Sequence, residues 1–145
     1  MGADAAGGDI LHGDVIHGVP CVTDPDTAGF FEAAKRGELA VKACARCGLV
    51  LHLPKAYCHR CGAWDTVWRT IPPTGTVYTW TTTERALRDG FPPPYTVVLI
   101  DLDGAPGARL VGHLPGRPEL TVGMAMRAEF VALNDEVTIP QWHVA

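Results

Sequence analysis

The sequence predicts a mainly β chain built from an N-terminal helix, a zinc ribbon and a five-stranded OB-fold barrel. Three observations carry that prediction. Two matching turns, Cys44-Ala45-Arg46-Cys47-Gly48 and Cys58-His59-Arg60-Cys61-Gly62, place four cysteines in one short segment. A helical apolar pattern at Phe30, Phe31 and Ala34 precedes them. From residue 76 onward, short alternating segments rich in β-branched and aromatic residues follow one another, separated by turn signals. The chain divides into a flexible lead-in at residues 1–25, the helix at 26–37, the ribbon at 38–71 and the barrel at 72–145.

The lead-in is rich in Gly, Ala and Asp. Pro25-Asp26-Thr27 then offers a helix start, with Asp26 or Thr27 able to cap, and Gly37 suits the stop. The aromatic pair Phe30 and Phe31 must bury against the chain's own fold or another subunit. Residues 38–43 read as a strand entering the first cysteine turn, 49–53 as one leaving it, and 66–69 as one following the second. In the barrel, residues 76–83 place Tyr78 and Trp80 on one face, whereas 95–102 is apolar on both faces, as a central strand would be. Residues 109–114 form the next strand, with Gly112 expected at a bulge. Residues 125–133 alternate Met126, Ala128 and Phe130 against Arg127 and Glu129, and Asn134-Asp135 turns the chain into 137–139. Five strands this short favour closure over an open sheet, because closure removes exposed edges.

The cysteines point to a metal. A divalent ion such as zinc takes four thiolates at tetrahedral corners, with Zn–S near ~2.3 Å. A two-residue spacer lets one tight turn aim both sulfurs at one centre, and two such turns in tandem complete the set Cys44, Cys47, Cys58 and Cys61. Disulfides are the competing reading, but no charged start followed by an apolar run announces an oxidising compartment. A rubredoxin-type iron site would use the same spacing, and a metal assay separates the two. His52 and His59 stand nearby, yet four sulfurs already close the shell, so both read as exposed polar residues. A closed shell leaves no position for substrate, which makes the metal structural. Cys21 has no partner and reads as an inert thiol.

At 145 residues the chain is one domain or two very small modules, and its longest apolar run is far too short to cross a bilayer. A soluble cytoplasmic protein is the expectation. The net charge of −4 is uneven: residues 1–34 carry six acids and no Lys or Arg, while 35–69 carry seven bases against Glu38 and Asp65. This basic island, with Arg46, Lys55 and Arg60 at its centre, suits coenzyme phosphates or an acidic partner, or else simply solvates an exposed ribbon. No Ser–His–acid set, phosphate-cradling Gly-rich loop or paired carboxylate suggests catalysis by this chain. A single-stranded nucleic-acid-binding protein is the rival class, with Tyr78, Trp80 and Phe91 available to stack bases. Against it, residues 70–145 carry eight acids and five bases, where such proteins line the groove with Lys and Arg. The Asp89-Gly90-Phe91-Pro92-Pro93-Pro94-Tyr95 loop is either a rigid turn or a preorganised contact surface built on Phe91, Pro93 and Tyr95.

Phe30-Phe31-Glu32, the two cysteine turns, Gly75-Thr76-Val77-Tyr78, Pro93-Pro94-Tyr95 and Val122-Gly123-Met124 together resemble the DUF35 family, from about Asp26 onward. That family combines an N-terminal helix, a rubredoxin-like zinc ribbon and an OB-fold, and is associated with acyl-CoA metabolism. The resemblance implies a non-catalytic accessory subunit of a thiolase-superfamily enzyme, such as a thiolase or a sterol-carrier-type aldolase that shortens steroid side chains. It further implies a heterotetrameric complex whose catalytic residues lie in the partner, one structural zinc per chain, and a coenzyme A thioester bound with that partner. The expected partner-binding residues are Phe30, Phe31, Phe91, Pro93 and Tyr95. No nucleic acid or membrane is implied, and no activity is expected from the chain alone.

Overall fold

Asp24 opens α1 (Ala28–Lys35), the one helix among the described residues, in a computed structural model that describes residues 18–87 and 90–145. Residues 1–17 of the expected lead-in, and Asp89 of the proline-rich loop, lie outside the described residues. The amides of Thr27 and Ala28 donate to the Asp24 carbonyl at 3.0 and 2.8 Å, and the Asp26 amide donates to its carboxylate at 2.8 Å. Neither Asp26 nor Thr27 caps the helix through its side chain, contrary to expectation. Thr27 does hold the N-cap position, without a side-chain bond, and the Asp26 carboxylate pairs with Lys42, 3.2 Å away. At the other end Gly37 takes φ 74°, and the amides of Arg36, Gly37 and Glu38 fold back onto the Ala33 and Ala34 carbonyls.

Seven strands follow: β1 (Leu39–Cys44), β2 (Thr66–Ile71), β3 (Thr74–Thr83), β4 (Tyr95–Leu102), β5 (Arg109–Pro115), β6 (Ala125–Ala132) and β7 (Thr138–Val144). β1 and β2 form a two-stranded antiparallel sheet with Leu39 opposite Ile71 and Cys44 opposite Thr66. The strand expected at 49–53 shrinks to one bridge between Ala43 and Val50, flanked by Leu51 N–H donating to the Lys42 carbonyl at 2.8 Å. Pro54, which has no N–H to give, follows directly.

The other five strands form one antiparallel sheet in the order β5-β4-β3-β6-β7, which is the strand order of an OB-fold. Its two edges, β5 and β7, touch, and Gln141 Nε2 donates to the His113 carbonyl across the seam at 2.7 Å. The bulge expected at Gly112 is absent: Gly112 pairs in register with Val98. A Cβ at Gly112 would stand 3.0 Å from both Trp142 and Val98, so the glycine makes room for the buried indole. The irregularity lies in β3 instead, between Val77 and Thr79.

Trp142, Ile100, Met126, Val77 and Val98 fill the barrel, and Leu39, Val41 and Ile71 of the small sheet belong to the same buried cluster. Ribbon base and barrel therefore share one core. Each such side chain contributes about 1.5–3 kcal/mol on burial, so the junction is a structural unit and not a linker. Phe30 packs on this core, while Phe31 packs on a smaller cluster around Leu133 and Val137.

Candidate metal centre and its flanking cleft

The two cysteine turns fold as near-copies. Cys44 N–H donates to the Leu49 carbonyl at 2.9 Å and Gly48 N–H to the Cys44 carbonyl at 3.0 Å. In the second turn, Cys58 pairs with Ala63 and Gly62 with Cys58, both at 2.8 Å. Gly48 and Gly62 each adopt φ 72°, a left-handed conformation that side chains penalise and that both turns require. The result brings all four Sγ atoms within 4.8 Å of one another. Cys44 and Cys61 stand 3.6 Å apart, and Cys47 and Cys58 3.5 Å. A tetrahedron with metal–sulfur bonds of ~2.3 Å has edges of about 3.8 Å, so the four sulfurs fit such an ion closely.

The turns also tune these thiols. The Cys61 amide leads the effects that hold Cys58 down to about 6, and the Cys47 amide leads those that lower Cys44. At Cys61 the Ala63 amide pulls downward, but burial and the neighbouring sulfurs outweigh it and push the thiol up to about 11. Four sulfurs this close cannot all ionise without a cation between them. Cys44 and Cys58 are buried and Cys47 and Cys61 face outward, so the centre sits at the ribbon's tip. Cys21 is exposed and takes no part, its thiol lying 3.3 Å from the Thr23 hydroxyl.

Around the centre, the basic island separates into distinct roles. Lys42 is no surface charge: its side chain is 7% exposed, ion-paired to Asp26 and 5.9 Å from the Trp68 ring. Arg46 and Lys55 are exposed. Arg60 joins His52, His59 and Arg69 around a cleft of about 560 Å³ between the cysteine turns and the barrel. His52 is half-buried, which lowers its pKa, and it bonds to the backbone of Arg109. Spacing gave no sign of this grouping, because His52 and Arg69 reach the cleft only through the folding of distant segments.

The expected partner residues are spread more widely. Phe30 and Phe31 meet edge to face at 5.3 Å and line an apolar cavity of about 160 Å³ with Val41, Leu53 and Trp68. Both are half-buried in the chain's own packing. Tyr95 is buried, and its ring lies 5.8 Å from Phe91 and 5.4 Å from His113. Pro92, Pro93 and Pro94 face outward from that cluster. Sequence reading missed a second aromatic pair, Tyr57 and Trp64, which flank the second cysteine turn with rings 5.4 Å apart. Trp64 is 71% exposed, and its position beside a structured turn was the available signal.

Residues 31–65 match the rubredoxin-like zinc ribbon domain of ChsH2, and residues 68–131 match its C-terminal OB-fold domain. A solved structure titled "Ltp2-ChsH2(DUF35) aldolase" superposes with a TM-score of 0.75 at 30% identity, covering 85% of this chain and 97% of that one. The chain belongs to the DUF35 family. A DUF35 protein of unknown function from Sulfolobus solfataricus shares the fold, with a TM-score of 0.58 at 17% identity over 85% of this chain and 87% of that one. A probable enoyl-CoA hydratase alpha subunit from Thermomonospora curvata is 33% identical over 124 residues, 83% of this chain. This chain spans only 38% of that relative's length. Within the DUF35 fold, the four cysteines are positioned to bind a metal ion. Among the described residues no helix is long and apolar enough to cross a membrane.

Proposed function

We propose that this chain is a non-catalytic, zinc-binding accessory subunit of a thiolase-superfamily enzyme acting on acyl-CoA, most simply a retro-aldol lyase. The observation that supports this reading best is the likeness to the DUF35 component of the Ltp2-ChsH2 aldolase, at 30% identity across 97% of that component. The site chemistry agrees with it. A shell of four thiolates would hold one zinc and leave no coordination position for substrate, so the metal would stiffen the ribbon and take no part in catalysis.

In this reading the catalytic residues belong to a cytoplasmic thiolase-like partner, two copies of each chain form a heterotetramer, and the substrate is a coenzyme A thioester, with steroid side-chain intermediates as one class. The outward face of the Phe91–Pro93 segment is the proposed partner contact, with Phe30 and Phe31 reachable only through their apolar cavity. Tyr95 serves that contact from behind by packing on Phe91.

Co-expression with a thiolase-like chain tests the reading. The expected outcome is a stable complex of two plus two chains that cleaves a β-hydroxyacyl-CoA, while the purified single chain cleaves none. Phe91→Ala is expected to weaken that complex about thirtyfold, in line with ~2 kcal/mol for an aromatic anchor. Turnover by the isolated chain, or its separate elution from the partner, would overturn the proposal.

A further inference from the structure

The four sulfurs at the ribbon's tip divide by exposure in a way that metal binding alone does not require. Cys47 and Cys61 face outward, whereas Cys44 and Cys58 are buried. Each outward sulfur stands beside a buried one from the opposite turn: Cys47 is 3.5 Å from Cys58, and Cys61 is 3.6 Å from Cys44. Within each turn the backbone is already tied. The Cys47 amide donates to the Cys44 sulfur at 3.5 Å, and the Gly48 and Gly62 amides close their turns on the Cys44 and Cys58 carbonyls. A bridge inside one turn would distort these bonds. A bridge between turns asks only that two sulfurs approach by about 1.5 Å, to the ~2.05 Å of a disulfide. Arg46 and Arg60, both exposed, directly precede the outward cysteines, and a neighbouring cation favours the thiolate that oxidants attack. The tip's own buried cluster is small, so sulfur ligation carries most of the order there.

We propose that the four cysteines form an oxidant-sensitive switch as well as a metal site, with Cys47 and Cys61 attacked first and Cys58 and Cys44 as their resolving partners. The oxidant is a hydroperoxide. The Cys47 thiolate attacks its terminal oxygen, the O–O bond breaks, and the other oxygen takes a proton and leaves as water or an alcohol. Cys47 is then a sulfenic acid. The Cys58 thiolate attacks that sulfur, the S–O bond breaks, the hydroxyl leaves with a proton as water, and the Cys47–Cys58 disulfide forms. Each peroxide takes up the two electrons released by one disulfide, and a second peroxide does the same at Cys61 and Cys44. A bridged sulfur is no longer a thiolate ligand, so two of the four ligands go with the first bridge and the ion is released. Both bridges run between turns, so the oxidised tip stays tethered and a dithiol restores the four thiols. The inference goes beyond the accessory-subunit reading and does not rest on it; it needs only a metal held by the four sulfurs.

Hydrogen peroxide titrated into the zinc-loaded full chain tests this, in a Cys21→Ser background that removes the exposed fifth thiol. The expected result is release of the zinc into a chromogenic chelator together with loss of the four thiols. Dithiothreitol and added zinc are expected to restore both. The connectivity is directly readable, because trypsin cuts after Lys42, Arg46, Lys55, Arg60 and Arg69 and leaves each cysteine on its own peptide. Peptide 47–55 is expected linked to 56–60, and peptide 43–46 to 61–69. Linkage of 43–46 to 47–55, or oxidation to sulfinic and sulfonic acids without bridges, would overturn the proposal. So would zinc retained with all four thiols intact at a peroxide excess that oxidises free cysteine, or a folded chain that takes up no zinc.

Discussion

Lys42 shows how a single charge is held inside a fold. Its ammonium lies between the Asp26 carboxylate and the Trp68 ring, with its stem buried in β1. Removing the anion strands the cation, whereas removing the cation leaves only Asp26, whose side chain is 47% exposed and can turn to water. Asp26→Ala is therefore expected to cost about 1–3 kcal/mol, and Lys42→Met, similar in shape, less than that. Urea denaturation of the two variants checks the asymmetry; equal losses would mean the pair acts as an ordinary surface contact. Counting bases along the sequence left Lys42 as one of seven in a basic island that either meets an anion or solvates the ribbon, because burial and a partner sixteen residues away are invisible to composition. The cysteines were legible for the opposite reason. Their chemistry needs two short spacers and a glycine after each, all local features.

At the scale of elements, α1 lies against β2 through a position with no side chain. A Cβ on Gly29 would sit 2.1 Å from Trp68 Nε1, well inside contact distance, so indole or helix must shift. Gly29→Ala is expected to destabilise the chain by about 1–3 kcal/mol despite the better helix propensity of alanine. The paired variant Gly29→Ala with Trp68→Phe, which trims the obstructing ring, should recover part of the loss in thermal melts. No recovery would show that the helix is insensitive to this contact. β4 was legible to its ends, since a segment apolar on both faces is a local pattern. The β3 bulge and the regular pairing at Gly112 were not, because both depend on what packs behind the strand, above all Trp142. The cap position falls on Thr27 as one of the two expected residues, but without a side-chain bond, while Asp26 takes a tertiary partner in Lys42.

For the whole molecule, the division of the buried clusters predicts what metal loss does. Leu39, Val41 and Ile71 tie the ribbon base into the barrel core, whereas the tip depends on a small cluster of Cys44, Leu51, Cys58 and Ala63. That tip buries too little apolar surface to offset the entropy of ordering its turns, so the metal must supply the difference. Removing it with a chelator, or replacing Cys58 by Ser, is expected to release hydrogen-exchange protection across residues 44–65 while β3 to β7 keep theirs. Acid should act in the same direction. In the metal-free fold the Cys58 thiol is lowered from 9.0 to about 6, so its contribution is present above 9.0 and lost as pH falls to about 6, whereas Cys61, pushed up to about 11, costs stability only at higher pH and does not oppose the loss below 9.0. With metal bound, protons must displace the ion from all four sulfurs, which moves the loss to lower pH and makes it steeper than a single titration. Zinc release followed by a chromogenic chelator while pH is lowered measures this directly, alongside circular dichroism of the barrel. Simultaneous collapse of barrel and ribbon would show that the shared core cannot stand without the metal, whereas release first and unfolding later is what the two clusters predict.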